Sequence, residues 1–299
     1  MDKYFRAVGF SQLKAGRQLD ALIQDSFRTC ESKYATGFDS DNVLLDCFKY
    51  FGKGIGLGLS GVVKKNKSVS LRKCFPFAES DCRVDAVNVE VEDAENDKLI
   101  MFYDKKTYNQ FVVKLQKPQS ASGAIRSVSV SALSAKGKIL LPFFKDAEQD
   151  SFKKKESAQL KKLMRKVCAG DKKAEVKLDE CMDGASLAIR GRMLKEDFFS
   201  IIETYFEPND ENDFSYDILA EIISSETVVN SATEEKLYKM TIDVAGTRMQ
   251  LYINHNDLVG LPSAGMRFWG VCALSGSVVN KKKLLSVFKG YLSTGGRRS

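Results

Sequence analysis

The sequence predicts an α+β protein: an N-terminal antiparallel sheet with a packed helix, a helical connector, and a small C-terminal β-barrel-like domain. Three observations carry this. Short apolar runs follow one another at hairpin spacing over the first half of the chain. An amphipathic, lysine-rich segment follows them. Beyond it stand the clearest alternating hairpin and further short strands.

The elements follow in order. Leu19, Leu22, Ile23 and Phe27 recur at helical spacing. Val43–Tyr50 and Ile55–Val63 read as strands, with Lys64-Lys65-Asn66-Lys67 as the turn into the Ser68–Phe77 run. Val87, Val89 and Val91 alternate with polar residues; Leu99–Tyr103 and Phe111–Leu115 follow. Val128 and Val130 alternate with serines, Lys136-Gly137-Lys138 reads as a turn, and Ile139–Phe144 as a last apolar run. Seven or eight strands at such spacing favour an antiparallel sheet over a doubly wound parallel one. Leu160, Leu163, Met164 and Val167 then form a helical stripe, started by Asp150 or Ser151 and stopped by Gly170. In the second half Tyr238, Met240, Ile242 and Val244 alternate, Ala245-Gly246 turns, and Met249, Leu251 and Ile253 alternate back. Tyr216–Ile223 and Arg267–Val279 supply further strands, the latter with a bulge at Gly270 or Gly276. Phe198 to Phe206 fits a helical face on spacing and a buried strand on composition. The expected division is 1–147 for the first domain, 148–182 for the connector, 183–280 for the barrel-like domain, and 281–299 for a basic helix and disordered tail.

The chain has 299 residues, one histidine, seven cysteines and a net charge of +7. No two cysteines stand in C-x-x-C spacing, which points to reduced thiols in a cytoplasm. There is no apolar leader and no run long enough for a membrane-spanning helix. Charge is unevenly spread. Glu196 to Glu235 holds twelve acids and no Lys or Arg, so the remainder carries +19. Lys136 to Lys173 holds twelve basic residues against five acids.

Residues Asn254, Asp257-Leu258, Gly260, Pro262, Gly265, Arg267-Phe268 and Gly270 stand in an order that resembles an uncharacterised bacterial family of about this length from anaerobic Gram-positive bacteria. Arg6-Ala7-Val8-Gly9-Phe10, Gly137-Lys138-Ile139-Leu140-Leu141-Pro142 and Ser200–Pro208 extend the resemblance over most of the chain. Leu261, Trp269 and Ala273 depart from it, at positions where the family is expected to carry an acid, Lys and Trp. The resemblance implies no activity, cofactor or catalytic residue.

Motif matches fail at named positions. Gly56-Leu57-Gly58-Leu59-Ser60-Gly61 has dinucleotide-fingerprint spacing, but strand and turn residues follow where a helix N-terminus is needed. It reads as a strand face packed against a large neighbour. Asp210-Glu211-Asn212-Asp213 opens like a calcium loop, but its sixth position is Ser215 where glycine is required. His255 reads as an exposed turn histidine; one imidazole cannot build a His-rich metal site, and no G-x-S-x-G elbow supplies it a nucleophile. No catalytic, cofactor-binding or metal residue is assigned, and no cofactor is expected.

The partner-binding candidates are Lys153, Lys154, Lys155, Lys161, Lys162, Arg165 and Lys166 on the basic helix, with Arg267 and Trp269 on the last strand. Phe268 and Trp269 must point to opposite faces, one into the core; the other reads as core or interface packing, or as a stacking platform if the barrel is of the oligonucleotide-binding type. The expected function is a non-enzymatic binding or regulatory module for a macromolecular partner, a second copy of the chain included. One alternative is a nucleic-acid-binding protein using the barrel and the basic segments. The other is an enzyme whose site is assembled from scattered residues.

Overall fold

In this computed structural model the described residues are 2–13, 16–30, 32–39, 42–64, 69–94, 97–116, 125–143, 160, 162–167, 169–210 and 215–279. The fold is β-rich, with 52% strand and few helices.

A 3₁₀ turn, Lys3–Val8, opens the chain; the Asp2 carboxylate accepts from the Tyr4 amide at 2.9 Å. Gly9 ends the turn at φ +88°, where a Cβ would stand 2.6 Å from Asn230 Cβ, so glycine is required there twice over. Helix α1 (Arg17–Thr29) buries Ile23 and Phe27. It packs on β2 (Asn42–Gly52) and β3 (Ile55–Val63), against Cys47 and Leu59. Fully burying two such side chains contributes about 3–6 kcal/mol. With β1 (Ser32–Asp39) and β4 (Val69–Ala78) these strands form a four-stranded antiparallel sheet in sequence order. The expected N-terminal sheet with its helix is therefore present. The glycines of the fingerprint-like run lie on β3. A Cβ at Gly58 would stand 2.3 Å from the Phe75 ring, and one at Gly56 would stand 2.7 Å from Phe77. The run is a strand face under large neighbours, as its surroundings in sequence imply.

The second sheet is mixed and has ten strands. From the first half come β5 (Arg83–Ala94), β6 (Asp97–Asp104), β7 (Gln110–Leu115) and β8 (Ser127–Leu140). From the second half come β9 (Tyr205–Asp210), β10 (Ser215–Val229), β11 (Lys236–Val244), β12 (Thr247–Asn254), β13 (Leu258–Val259) and β14 (Arg267–Val278). Strand β8 pairs antiparallel with β14 along most of its length. On its other edge β8 pairs with β5 near its start and, in parallel, with β12 and β13 further on. Strand β14 pairs with β10 near its start and with β7 near its end. The pairings thus return on themselves in two circuits that share the β8–β14 ribbon: one through β10, β11 and β12, the other through β5, β6 and β7.

This corrects the expected architecture. The second half does not form its own barrel, and the large sheet is not a clean barrel. Strands from both halves of the chain pair in this one sheet, β8 with β12 and β14. The misreading turns on Lys136-Gly137-Lys138, which is strand and not turn. Gly137 pairs with Gly270 on one side and Leu258 on the other, and a Cβ there would stand 2.3 Å from the Phe268 ring. Glycine at 137 makes room for that ring. The register shift at Gly270 is the bulge expected on the last strand.

The helical connector is supported in part. Residues 162–167 are helical, and Gly170 follows at φ +84°. A further helix, α2 (Lys172–Met193), begins within the expected connector and runs beyond its end at 182; its first turn is capped by Asp171. The ambiguous 198–206 stretch is both things in turn: helix α3 (Phe198–Ile201), capped by Asp197, then β9. The proposed caps Asp150 and Ser151 and the 281–299 tail lie outside the described residues.

One core fills the large sheet, with Phe102, Phe111, Ile218, Leu251 and Phe268 wholly buried. A second lies between the two sheets. There Tyr4, Phe5, Val8 and Phe10 of the N-terminal segment meet Ile55 and Leu57 of β3, Leu133 of β8 and Tyr252 of β12. The first turn of the chain is thus wedged between the sheets, against the outer face of the β8–β14 ribbon.

Candidate binding groove

From Phe268 onward strand β14 alternates between buried and half-exposed residues. Phe268, Cys272 and Leu274 face the core, while Trp269, Val271, Ala273 and Ser275 face outward. Of the adjacent aromatics, Phe268 is the core ring and Trp269 the outward one. Trp269 and Val271 line a cleft of about 820 Å³ between the ribbon and the Lys3–Val8 turn. Lys3, Tyr4 and Arg6 form one wall, Lys136 and Lys138 of β8 the other, with Gly137 and Gly270 between them. A second cleft of about 460 Å³ takes Ala273, Leu274 and Ser275 from the same ribbon, Lys114 and Gln116 from the β7 end, and Phe75 from β4. Lys3 and Tyr4 of the N-terminal turn line both, and the outer face of the ribbon between the two clefts is closed, with Leu133 buried against that turn.

The groove is held firmly. Arg6 donates from Nε and an Nη to the two oxygens of Asp257, at 2.5 and 2.6 Å. The Asp257 side chain is nearly buried, so this forked pair fixes the N-terminal turn to the 3₁₀ turn His255–Asp257. Asn254 adds a bond to the Arg6 carbonyl at 3.4 Å and one to Glu235 at 2.5 Å. At the other end the buried Gln116 amide donates to the Ala78 carbonyl, Ser131 Oγ and Ser275 Oγ, at 2.8, 3.2 and 2.6 Å.

Lysines stand over rings in both clefts. Lys138 Nζ stands 5.5 Å from the Trp269 ring centre, Lys3 Nζ 5.1 Å from Tyr4, and Lys114 Nζ 5.8 Å from Phe75. All are within cation–π range. Trp269 and Phe75 are half-exposed; Tyr4, between them, is buried. Trp269 is backed edge-on by Phe199 of α3, with ring centres 5.3 Å apart.

Arg267 does not reach this groove. Its side chain is buried, and it donates to the carbonyls of Leu141, Ile202 and Phe199 at 3.0, 2.9 and 2.9 Å. Burial lowers its pKa from the ordinary arginine value. Its guanidinium clamps the end of α3, and so positions Phe199 behind Trp269. Of the basic-helix candidates, Lys153, Lys154, Lys155 and Lys161 lie outside the described residues. Lys162, Arg165 and Lys166 are exposed on the 162–167 helix and line neither cleft. Several acids of the 196–235 stretch are engaged within the chain: Glu196 with Arg192, Asp197 as the α3 cap, Glu226 with Lys239. His255 is exposed and stacks on Tyr238, with ring centres 5.0 Å apart. Among the described residues no three His, Cys, Asp or Glu side chains gather as a metal site, and no helix is long and apolar enough to cross a membrane.

Of the site residues the sequence singled out, the structure places Trp269 in the groove. It adds Lys3, Arg6, Phe75, Lys114, Lys136, Lys138 and Asp257. Three stretches that carry the family resemblance, at Arg6, at Gly137-Lys138 and at Asn254–Gly270, meet around the larger cleft.

A sequence model of one family matches residues 5–276: DUF3881, a domain of unknown function described from an E. rectale gene. The chain belongs to that family. Its membership bears out the resemblance read from the sequence and is consistent with an anaerobic Gram-positive origin. The DUF3881 match begins within the N-terminal turn and ends on β14, so it takes in both sheets and most of the groove. No curated protein and no solved structure matches.

Proposed function

We propose that this chain is a non-enzymatic binding module for an anionic macromolecular partner, gripped in the cleft beside Trp269. One observation carries the reading: Lys3, Arg6, Lys136 and Lys138 line that cleft, against Asp257 as the acid of the lining, and Arg6 already neutralises Asp257. Lys136 and Lys138 add positive charge to a concave site, and such a site focuses its field on a partner of opposite sign. The lining offers cations, an aromatic face and glycine backbone, which are means of holding a ligand rather than of transforming one. A reduced, cytoplasmic setting fits the six described cysteines, all of them free.

Trp269 is the sole tryptophan of the chain, so its emission reports on this cleft alone. Single-stranded oligonucleotide, polyglutamate and a sulfated polysaccharide are titrated at low salt while tryptophan emission is followed. At least one polyanion is expected to change the emission, with the effect reduced by salt and lost in the double variant Lys136→Glu, Lys138→Glu. If no polyanion changes it at low salt, the reading is wrong.

A further inference from the structure

Helix α2 and its cap hold five of the eleven large apolar side chains that stand exposed among the described residues: Val176, Met182, Leu187, Met193 and Leu194. We infer that α2 is a self-association surface, through which two copies of the chain pair antiparallel about a two-fold axis level with Ala185. The inference is separate from the cleft beside Trp269 and uses none of its residues.

One side of the helix is covered. Ala174 is buried there, and Leu178 and Ile189 are half-buried. The opposite side is open: Val176, Leu187 and Leu194 are 58%, 69% and 86% exposed. Leu194 caps the helix with helical dihedrals, φ −70° and ψ −17°, so it continues the same line. At about 100° per residue, Val176, Glu180, Asp183, Leu187, Arg190 and Leu194 fall within about 80° of the circumference. Their alternating steps of four and three residues are those of the contact seam between paired helices. The seam runs about 27 Å from Val176 to Leu194 at the α-helical rise. Apolar side chains gathered in the open on one face mark an interaction surface.

Charge identifies the partner. Glu180, Asp183 and Arg190 are exposed, and among the described residues none of the three has an ion-pair partner. Read along the helix, the seam is Val-Glu-Asp-Leu-Arg-Leu, which complements its own reverse. Laid antiparallel, Val176 of one copy meets Leu194 of the other, and Glu180 of one meets Arg190 of the other. The two-fold axis makes each contact twice. Parallel pairing would set Glu180, Asp183 and Arg190 each against its own copy, and like charges repel. An acidic partner would satisfy Arg190 and oppose both acids; a basic one would do the reverse. Asp183 lies near the axis, beside Leu187 of the other copy. A polar residue in such a seam fixes register at a cost in stability, so the dimer is weak.

The test uses the full chain in sedimentation equilibrium from about 1 to 500 µM, where a monomer–dimer equilibrium with a Kd of about 10–100 µM is expected. Each charge substitution enters twice and turns attraction into repulsion. Arg190→Glu and Glu180→Arg should therefore each weaken the dimer about 30-fold. Mixing the two variants should restore it, as should combining both substitutions in one chain. Asp183→Leu should tighten it at least about tenfold. Orientation is read in a Cys181→Ser background. There Val176→Cys mixed with Leu194→Cys should oxidise to a disulfide, while neither variant should link to itself. Circular dichroism checks that each variant is folded. A chain that stays monomeric at the highest concentration overturns the inference. So does a dimer indifferent to both charge variants, or a Val176→Cys chain that links to itself.

Discussion

Replacing Arg267 by methionine separates a structural clamp from a surface contact. Methionine keeps much of the volume but removes three donors whose acceptors are the carbonyls of Leu141, Phe199 and Ile202. A hydrogen bond to a charged group contributes about 1.5–3 kcal/mol. The three do not add in full, because Leu141 is exposed and Phe199 and Ile202 are half-exposed, so water partly replaces the lost donors. A loss of about 3 kcal/mol follows, and a fall in Tm of roughly 6–9 °C. Differential scanning calorimetry and urea titration measure it, with the urea m-value unchanged. Trp269 emission should shift as well, since Phe199 loses its anchor. Lysine at 267 should recover at most about half of the loss, because one ammonium cannot serve three separated carbonyls as a planar fork does. The reasoning is refuted if Arg267→Met melts within about 1 °C of the parent while losing its ligand.

Two further outcomes are expected. Lys239, its side chain nearly buried, stands 2.9 Å from Glu226 and 3.4 Å from Asp81, and its hydrogen bond holds the Glu226 carboxyl below its ordinary 4.5. A lowered carboxyl pKa contributes stability that is fully present above 4.5 and lost as pH falls through the folded value. The urea-midpoint difference between the parent and Lys239→Met should therefore narrow from about pH 7 to about pH 3; a constant difference contradicts the linkage. Burial pushes the Cys74 and Cys272 thiols up to about 12, whereas Cys181 is exposed on α2. Native alkylation near neutral pH should thus label Cys181 and spare Cys272, and peptide mapping that finds Cys272 labelled first would contradict its burial.

What could be read in advance followed from burial. Strands β14 and β11 largely bury one face, so alternation in sequence reported them directly; β12 alternates too, although Gln250, Tyr252 and Asn254 on its second face are also buried. Helix α2 buries little: Val176, Met182 and Leu187 are exposed, and without a buried face no apolar stripe is imposed on the sequence. Strand β1, Ser-Lys-Tyr-Ala-Thr-Gly-Phe-Asp, likewise carries no alternation. Gly137 misled for a different reason. Glycine between two lysines marks a turn far more often than a place for a distant ring, and Phe268 is distant in sequence though adjacent in space. The groove was illegible for the same cause. Lys3 and Trp269 lie near opposite ends of the chain, and Phe75, Lys114 and Lys138 come from three separate strands. No local spacing could announce them. The sole tryptophan, on a strand whose partner ring had to point inward, was the signal available.

The shared ribbon also sets an order of events during synthesis. The four-stranded sheet pairs its strands between neighbours in sequence, although Ile55 and Leu57 are covered by strands made later. Strand β8 must wait: its long partner β14 is translated more than a hundred residues after it. Until β14 emerges from the ribosome neither circuit can close, and β8, β10 and β7 each keep an unpaired edge. Contacts of such long range slow folding. A nascent chain of this protein therefore carries sticky strand edges for most of its time on the ribosome, and its dependence on chaperones should be concentrated in that interval.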